Sequence, residues 1–243
     1  MFLKAIMLER GPSGGYPFDL PVVRALAELR ELRLRKPVTL LAGDNGTGKS
    51  TLVEAVAVAA GFNPEGGSTS FNFATRATES ALGEHLVLSR VPGRRPRTGY
   101  FLRAESFYNV ATEIDRLGAT GSYGGTSLHE RSHGESFLDL VLHRFGPSGL
   151  YLLDEPEAAL SVQGCLALLV RIAELVALGS QFIIATHSPV LLACRDAAIF
   201  EIGAAGDISE IDYDQADAVV LTRAFLAHPA RFLDRLFDEE RRR

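Results

Sequence analysis

The sequence has few cysteines and no long uncharged hydrophobic run. Its two cysteines, Cys165 and Cys194, lie in apolar stretches without the spacing of metal ligands. This excludes a disulfide framework and favours reduced core cysteines in a cytoplasmic protein. The most apolar stretch, 158–178, contains Arg171 and Glu174, so no segment is suited to span a membrane. From the first residues of the sequence we expect no secretory signal.

Lysine is also scarce, and the net charge is negative. Only three of the 243 residues are lysines, and the formal charge is −5 at pH 7. The charge does not indicate a broad nucleic-acid surface, although a local basic stripe leaves nucleic acid possible as a partner. The candidate stripe is 90–97, which contains Arg94, Arg95 and Arg97. We expect a solvated loop or hairpin there; the alternative is a phosphate, DNA or partner contact.

One glycine-rich segment carries the strongest functional signal. An apolar run over 36–42 leads into a GxxxxGKS loop followed by a helical pattern over 51–60. Its residues are Gly43, Asp44, Asn45, Gly46, Thr47, Gly48, Lys49, Ser50 and, at the helix start, Thr51. Free backbone N–H groups and the helix N-terminus bind phosphates, Lys49 neutralises their charge and Ser50 can ligate magnesium. The loop therefore predicts binding of a nucleoside triphosphate; an ordinary glycine-rich turn is the alternative.

A second apolar strand is predicted over 150–153, and it ends in Asp154 and Glu155. Asp154 at the strand end can hold magnesium through its water shell. Glu155 can polarise the water that attacks a phosphate. The alternative is a buried strand whose acidic end caps the next helix.

A third apolar strand is predicted over 182–185, and His187 follows its carboxyl end. Ligands bind at that end of open parallel sheets. A neutral histidine there can hydrogen-bond a γ-phosphate and hold the catalytic water. A structural histidine is the alternative.

These motifs, in this order, resemble those of the ABC-type ATPases, which include transporter subunits and the heads of the SMC and RecF families. The segment 132–136, Ser-His-Gly-Glu-Ser, is similar to the signature of that superfamily. The resemblance implies that Ser132, Gly134 and Glu135 contact an ATP held by a second copy; His133 departs from the pattern. A capping box formed by Ser132 and Glu135 is compatible with the same residues.

The whole chain resembles small bacterial ATPases of the ABC/AAA type, with likeness in 14–18, 61–67, 101–107 and 132–136. The resemblance implies ATP and Mg2+ as cofactors and a homodimer that forms on ATP binding. It also implies a loop at 157–161 along the dimer seam. Tyr16 or Phe18 is a candidate for the adenine contact.

A glutamine that transporter ATPases carry after the phosphate-loop helix has no counterpart, because the only glutamines are Gln163, Gln181 and Gln215. Glu84 or His85 could replace it, and the position stays unassigned. The missing glutamine argues against a transporter subunit, which remains one alternative. A P-loop small-molecule kinase and an ATP-binding scaffold with little turnover are the others.

The sequence thus predicts an ATPase, a hydrolase of phosphoric anhydrides that switches an unidentified protein partner. The expected fold is an α/β P-loop NTPase with a mostly parallel central sheet flanked by helices, ABC-ATPase-like with a small helical signature lobe. We expect a single domain over 1–243 with an inserted or peripheral lobe at 62–130. Helices are predicted over 105–117 and 135–145. Apolar residues near the C-terminus are predicted to pack in the core, with an interface as the alternative: Phe225, Leu226, Phe232, Leu233, Leu236 and Phe237.

Overall fold

A computed structural model describes residues 1–9, 14–68, 81–105, 107, 112 and 133–240. The strands in this part of the chain are β1 (Leu3–Leu8), β2 (Leu32–Arg33), β3 (Val38–Ala42), β4 (Leu86–Arg90), β5 (Thr98–Arg103), β6 (Gly149–Asp154), β7 (Gln181–Ala185), β8 (Ala197–Ile202) and β9 (Ile208–Ile211). The helices are α1 (Pro21–Leu29), α2 (Lys49–Ala60), α3 (Ala81–Glu84), α4 (His133–Arg144), α5 (Val162–Ala177), α6 (Pro189–Leu192), α7 (Asp217–Ala227) and α8 (Pro229–Glu240).

The central sheet has six strands in the order β5-β6-β7-β3-β8-β9. All neighbours are parallel except β8 and β9, which pair antiparallel. Strands β3, β6 and β7 are buried along their whole length, as their continuous apolar sequences predict. The predicted α/β fold with a mostly parallel sheet flanked by helices is confirmed.

Successive residues of each buried strand serve two separate cores. Tyr151 and Leu153 point to a core that also contains Phe145 and Phe182. Leu152 belongs to a second core, which helix α2 lines from the opposite side of the sheet. Because side chains alternate along a strand, an uninterrupted apolar run fills both cores at once.

A smaller antiparallel sheet, ordered β2-β1-β4, lies beside the central sheet. The side chain of Gln181, at the start of β7, joins the two sheets. Its Oε1 accepts hydrogen bonds from the Phe2 N–H at 2.6 Å and the Leu3 N–H at 2.9 Å. Its Nε2 donates to the Leu3 carbonyl at 2.9 Å. One buried side chain therefore provides hydrogen-bond partners for three backbone groups of Phe2 and Leu3, where β1 begins.

The prediction of a core position for the C-terminal apolar residues is wrong for most of them. Phe225, Leu226, Leu233, Leu236 and Phe237 are large apolar side chains that remain exposed. Helices α7 and α8 contact each other, with the rings of Phe225 and Phe232 5.9 Å apart. Within the described part of the chain no further element covers this apolar face.

Most of the helix predicted over 105–117 and about half of the lobe predicted at 62–130 lie outside the described residues. Phe107 is described, and it is buried with its ring centroid 5.6 Å from that of Phe137. The helix predicted over 135–145 is present as α4. The basic stretch 90–97 is an exposed connection between β4 and β5, at the edge of the central sheet where the parallel strands begin.

Among the described helices, none has both the length and the apolar character needed to cross a membrane.

Candidate nucleoside triphosphate site

The glycine-rich loop connects the end of β3 to the start of α2, and two of its glycines are required by the backbone. Gly43 has a φ of 137°, and a Cβ there would lie 2.5 Å from the Ile202 carbonyl oxygen. Gly48 has a φ of 94°, and a Cβ would lie 2.4 Å from a methyl carbon of Val22. Both positions combine a positive φ with a close approach that only glycine allows. The loop can therefore wrap tightly around the first turn of α2.

Helix α2 begins at Lys49, so the unpaired N–H groups of its first turn, which includes Ser50 and Thr51, face the loop. The Lys49 ammonium is buried within this loop, with only 2% of the residue exposed. Its Nζ donates to the Asp44 carbonyl at 2.8 Å, and the Thr47 hydroxyl donates to the same oxygen at 2.9 Å. The buried positive charge and the helix N-terminus together favour an anion at this position.

Asp154 ends β6 and is almost completely buried. Its carboxylate receives a hydrogen bond from Ser50, while its Oδ1 has no hydrogen-bond partner. Burial raises the pKa of Asp154 from 3.8 to about 6, although the Arg103 charge and the Ser50 hydrogen bond act in the opposite direction. An unsatisfied carboxylate oxygen beside a hydroxyl matches the hard oxygen ligands of Mg2+.

Glu155 has a left-handed backbone conformation, with φ 48° and ψ 53°. Such a conformation is uncommon for a residue other than glycine, and it occurs preferentially at functional sites. The Glu155 N–H donates to the Ala185 carbonyl at 3.0 Å, which fixes the turn against β7. The carboxylate Oε1 lies 3.8 Å from Lys49 Nζ and 3.8 Å from His187 Nδ1.

His187 lies in the loop after β7, and Glu157 holds that loop in place. One oxygen of Glu157, Oε1, accepts from the Thr186 hydroxyl at 2.7 Å and from the backbone N–H groups of His187 at 2.7 Å and Ser188 at 3.1 Å. It is also 3.4 Å from His187 Nδ1. Because Nδ1 is buried while 43% of the side chain is exposed, the opposite side of the ring faces out of the protein.

Glu157 was expected only as part of a seam loop, so its contact with the His187 loop is new. The signal that could have revealed it is a third carboxylate directly after Asp154, Glu155 and Pro156. A carboxylate can accept several backbone hydrogen bonds, and the turn after β6 brings it beside the end of β7.

Arg103 is the second functional candidate that sequence reasoning missed. It ends β5 and is paired in register with Asp154 on β6. Its Nε lies 3.3 Å from Asp154 Oδ2, and its Nη1 lies 2.6 Å from Glu54 Oε2. Glu54 lies on α2, one turn beyond Ser50. Burial raises the pKa of Glu54 as well, against the influence of Arg103.

The predicted signature is only partly described. Ser132 lies outside the described residues, and α4 begins at His133. A Cβ on Gly134 would lie 3.1 Å from the Ala159 carbonyl oxygen, so the start of α4 packs against the loop that follows β6. Glu135 lies in the first turn of α4.

The two aromatic candidates for an adenine contact differ in exposure. Tyr16 is 79% exposed, whereas the Phe18 ring packs edge-on against His85 at 5.1 Å. His85, a candidate to replace the missing glutamine, therefore packs against Phe18. The residue paired with Asp154 at the end of β5 is Arg103.

Cation ligands in the described residues do not form a large cluster. No group of three or more histidine, cysteine, aspartate or glutamate side chains could hold a metal ion by itself in that part of the chain. Mg2+ commonly keeps several waters and uses one or two protein ligands together with substrate phosphates. The arrangement of Ser50 and Asp154 fits an ion of that kind.

A phosphate loop after β3, and an Asp–Glu pair ending a strand two places away in the same parallel sheet, define the class of P-loop nucleoside triphosphatases. Two family models match the chain in part. One, described as "AAA domain, putative AbiEii toxin, Type IV TA system", matches residues 136–193. The other, described as "AAA domain", matches residues 23–95. No curated protein matches the chain.

Several solved structures are similar over most of their length. The SMC head domain from Thermotoga maritima is 15% identical with a TM-score of 0.46, over 87% of this chain and 99% of that chain. The cbiO1 protein from Clostridium perfringens, part of the ABC transporter complex cbiONQ, is 16% identical with a TM-score of 0.48, over 98% and 100%. An Smc head bound to the C-winged helix domain of ScpA is 14% identical with a TM-score of 0.48, over 89% and 100%.

All three TM-scores lie below 0.5, so the assignment depends on the strand order, the phosphate loop and the two family models. On these grounds the chain has the α/β fold of a P-loop NTPase, and parts of it match models of AAA domains.

Proposed function

We propose that this protein binds and hydrolyses ATP, and that ATP-dependent pairing of two copies switches the activity of a partner protein. The observation that carries the proposal is that three side chains from separate segments of the chain lie close together. Glu155 lies 3.8 Å from both Lys49 and His187, at the edge where β3, β6 and β7 end. Ligands bind at this edge in open parallel sheets.

The triphosphate would lie along the loop 43–51. Backbone N–H groups of the loop and of the first turn of α2 bind its β- and γ-phosphates. Lys49 exchanges the Asp44 carbonyl, now 2.8 Å away, for phosphate oxygens. This exchange replaces a neutral acceptor by an anionic one, which strengthens the hydrogen bond.

The residues around the γ-phosphate support attack by water. Glu155 accepts a hydrogen bond from the water, whose oxygen attacks the γ-phosphorus as the bond to the β-phosphate oxygen breaks. The products are ADP and inorganic phosphate. The exposed side of the His187 ring donates to the γ-phosphate, while Glu157 keeps the backbone of the His187 loop in place. Lys49 stabilises the charge that develops on the phosphoryl oxygens.

Ser50 and Asp154 would hold Mg2+, which would neutralise negative charge on the phosphates. The fit depends on the unsatisfied Asp154 Oδ1 and its neighbour Ser50. In the paired state, Ser132, Gly134 and Glu135 of one copy would contact the ATP on the other. The start of α4 would provide the helix N-terminus for that contact.

The test is the mass of the Glu155→Gln protein in solution, measured by light scattering with and without ATP and Mg2+. We expect the mass to double with ATP, because the variant retains ATP without cleaving it and the pair persists. Wild-type protein, measured for phosphate release in parallel, should turn over ATP without any added acceptor.

Two outcomes would contradict the proposal in different ways. A Glu155→Gln monomer with ATP bound would exclude pairing through the nucleotide. Phosphate transfer that requires an added small molecule would favour a kinase, and recovery together with membrane subunits would favour a transporter subunit. A Glu174→Gln variant, which removes one exposed carboxylate from α5, is the control for the loss of one negative charge.

A further inference from the structure

The three charged side chains Glu54, Arg103 and Asp154 form a partly buried bridge between three elements. Arg103 on β5 contacts Glu54 on α2 at 2.6 Å and Asp154 on β6 at 3.3 Å. The side chains of Glu54 and Arg103 are about one-fifth exposed, and that of Asp154 is 6% exposed. Ser50, four residues before Glu54 on α2, completes the bridge through its hydrogen bond to Asp154. The Arg103 guanidinium therefore forms ion pairs with two carboxylates.

Two carboxylates removed from water require a nearby positive charge. Arg103 supplies that charge in the protein without a metal ion. Its third acidic neighbour, Glu105, is exposed and lies 3.9 Å from Nη2, so it contributes little. Asp154 thus has a cation beside it before any Mg2+ arrives.

A divalent cation at Asp154 and the Arg103 guanidinium would compete for the same carboxylate. Like charges at a separation of a few ångströms repel each other strongly in a site of low dielectric constant. Arg103 can release Asp154 without becoming unpaired, because its 2.6 Å contact with Glu54 does not involve Asp154. The Nε contact to Asp154 is the weaker of the two, since Nε lacks a properly aligned hydrogen bond.

We propose that Arg103 is the resident counter-cation of this site: it neutralises Asp154 when Mg2+ is absent and moves toward Glu54 when Mg2+ enters. The inference depends on the proposed function, because it takes the magnesium position from it. Arg103 is a positioning residue in this account, and Glu54 is the anchor to which it retreats.

The proposal predicts two effects of opposite sign in Arg103→Gln. Without the competing guanidinium, Mn2+ alone should bind about tenfold or more tightly than to wild type. In EDTA, a fluorescent ATP analogue should bind about tenfold or more weakly, because Asp154 and Glu54 then repel the phosphates. Mn2+ binding is followed by the electron paramagnetic resonance of the free ion, and nucleotide binding by fluorescence.

The matched control is Arg171→Gln. Arg171 is 23% exposed, close to the 21% of Arg103, and its partners are Glu174 and the Phe145 carbonyl. This variant should change neither affinity. A second variant, Glu54→Gln, removes the anchor and should weaken Mn2+ binding below the wild-type value, since Arg103 then stays on Asp154.

Simple damage to the site would weaken both ligands in Arg103→Gln, and that result would overturn the proposal. Equal Mn2+ affinity in wild type and Arg103→Gln, including no measurable binding to either, would overturn it as well. If Arg103→Gln does not fold, an unchanged or tighter Mn2+ affinity in Glu54→Gln has the same consequence. Failure of the proposed function is separate: wild type would then bind no nucleotide even with Mn2+ present.

Discussion

Buried polar groups at the two edges of the central sheet differ in how fully they are hydrogen-bonded. At the amino edge, where β6 and β7 begin, Gln181 makes three hydrogen bonds to the chain around β1. Next to it, Ser180 accepts from the Gly149 N–H and donates to the Gly146 carbonyl. At the carboxyl edge, four described side chains each have a buried atom without a hydrogen-bond partner: Arg103 Nε, Asp154 Oδ1, Glu157 Oε2 and His187 Nδ1. Two further such atoms, Thr39 Oγ1 and Arg171 Nε, lie away from this edge.

The polar groups at the amino edge therefore contribute to stability, whereas those at the carboxyl edge are available to bind a ligand. A satisfied buried network holds two sheets together and leaves no group free to bind a ligand. Unsatisfied groups cost stability, and they are retained where a ligand can use them. Substitutions at the amino edge should therefore change unfolding, and those at the carboxyl edge should change turnover.

The largest expected effect is on turnover, in Lys49→Met. We expect phosphate release to fall by about 10²–10³-fold, since a charge that stabilises the transferring phosphoryl group is lost. The folded protein should tolerate the change, because methionine fills the buried space without a charge to desolvate. Lys36→Met is the control, because Lys36 also donates to a backbone carbonyl, that of Ala197 at 2.9 Å, but on an exposed part of the chain. Equal turnover in the Lys49→Met and Lys36→Met proteins would contradict a specific role of Lys49 in turnover.

Gln181→Leu should show the reverse pattern. The substitution leaves three backbone groups without partners, so we expect the free energy of unfolding to fall by about 3 kcal/mol. Turnover per folded molecule should stay at the wild-type level. Denaturant unfolding and phosphate release below the transition measure the two quantities, and Gln163→Leu, at an exposed position, is the control. A large loss of turnover with normal stability would place Gln181 in the functional site instead.

Glu157 lies at the carboxyl edge but has three donors on one oxygen, so it should affect both properties. We expect Glu157→Ala to lower the free energy of unfolding by about 2 kcal/mol, because those donors lose their acceptor. Turnover should fall about tenfold as the His187 loop loses its support. Glu157→Gln keeps an acceptor oxygen and should recover most of the stability. An alanine variant with wild-type turnover would show that the His187 loop does not need this carboxylate.

Asp154→Asn should give the smallest change in the free energy of unfolding. Unlike Gln181→Leu and Glu157→Ala, it should raise that free energy. The pKa of Asp154 is raised to about 6 in the folded protein, above its ordinary value of 3.8. Ionised Asp154 therefore disfavours folding: stability is greatest below pH 3.8 and is lost as the pH rises through about 6. Without metal at pH 7.5, Asp154→Asn should unfold at higher denaturant concentration, by about 1–2 kcal/mol. Its turnover should nevertheless fall, because the amide is a poorer ligand for Mg2+ than the carboxylate.

The pH profile sharpens this test. The stability advantage of Asp154→Asn over wild type should shrink as the pH is lowered from 7 to 4.5, because wild-type Asp154 becomes protonated. Denaturant unfolding in EDTA at several pH values checks it. An advantage that does not depend on pH would assign the effect to packing instead.

The parallel strands and the loop could be predicted because their signals are local. The apolar runs at 38–42 and 150–153 predict buried strands without reference to the rest of the chain. The spacing of Gly43, Gly48 and Lys49 likewise predicts the phosphate loop. The roles assigned to these residues stay predictions until they are measured.

Contacts between distant segments could not be predicted in the same way. The approach of Arg103 to Asp154 depends on the register between β5 and β6, which the 50 intervening residues do not encode locally. The hydrogen bonds of Gln181 to Leu3 require the placement of one sheet beside another. Helix α8 has a strong apolar stripe, but a stripe does not reveal whether an element covers it.

The left-handed backbone at Glu155 has a consequence for selection experiments. Glycine or asparagine suits that conformation better than glutamate does. Libraries randomised at position 155 and selected for soluble expression alone should therefore enrich glycine and asparagine. Libraries selected for activity in a cell should keep glutamate. The residue recovered at this one position would then report which of the two pressures had acted on the protein.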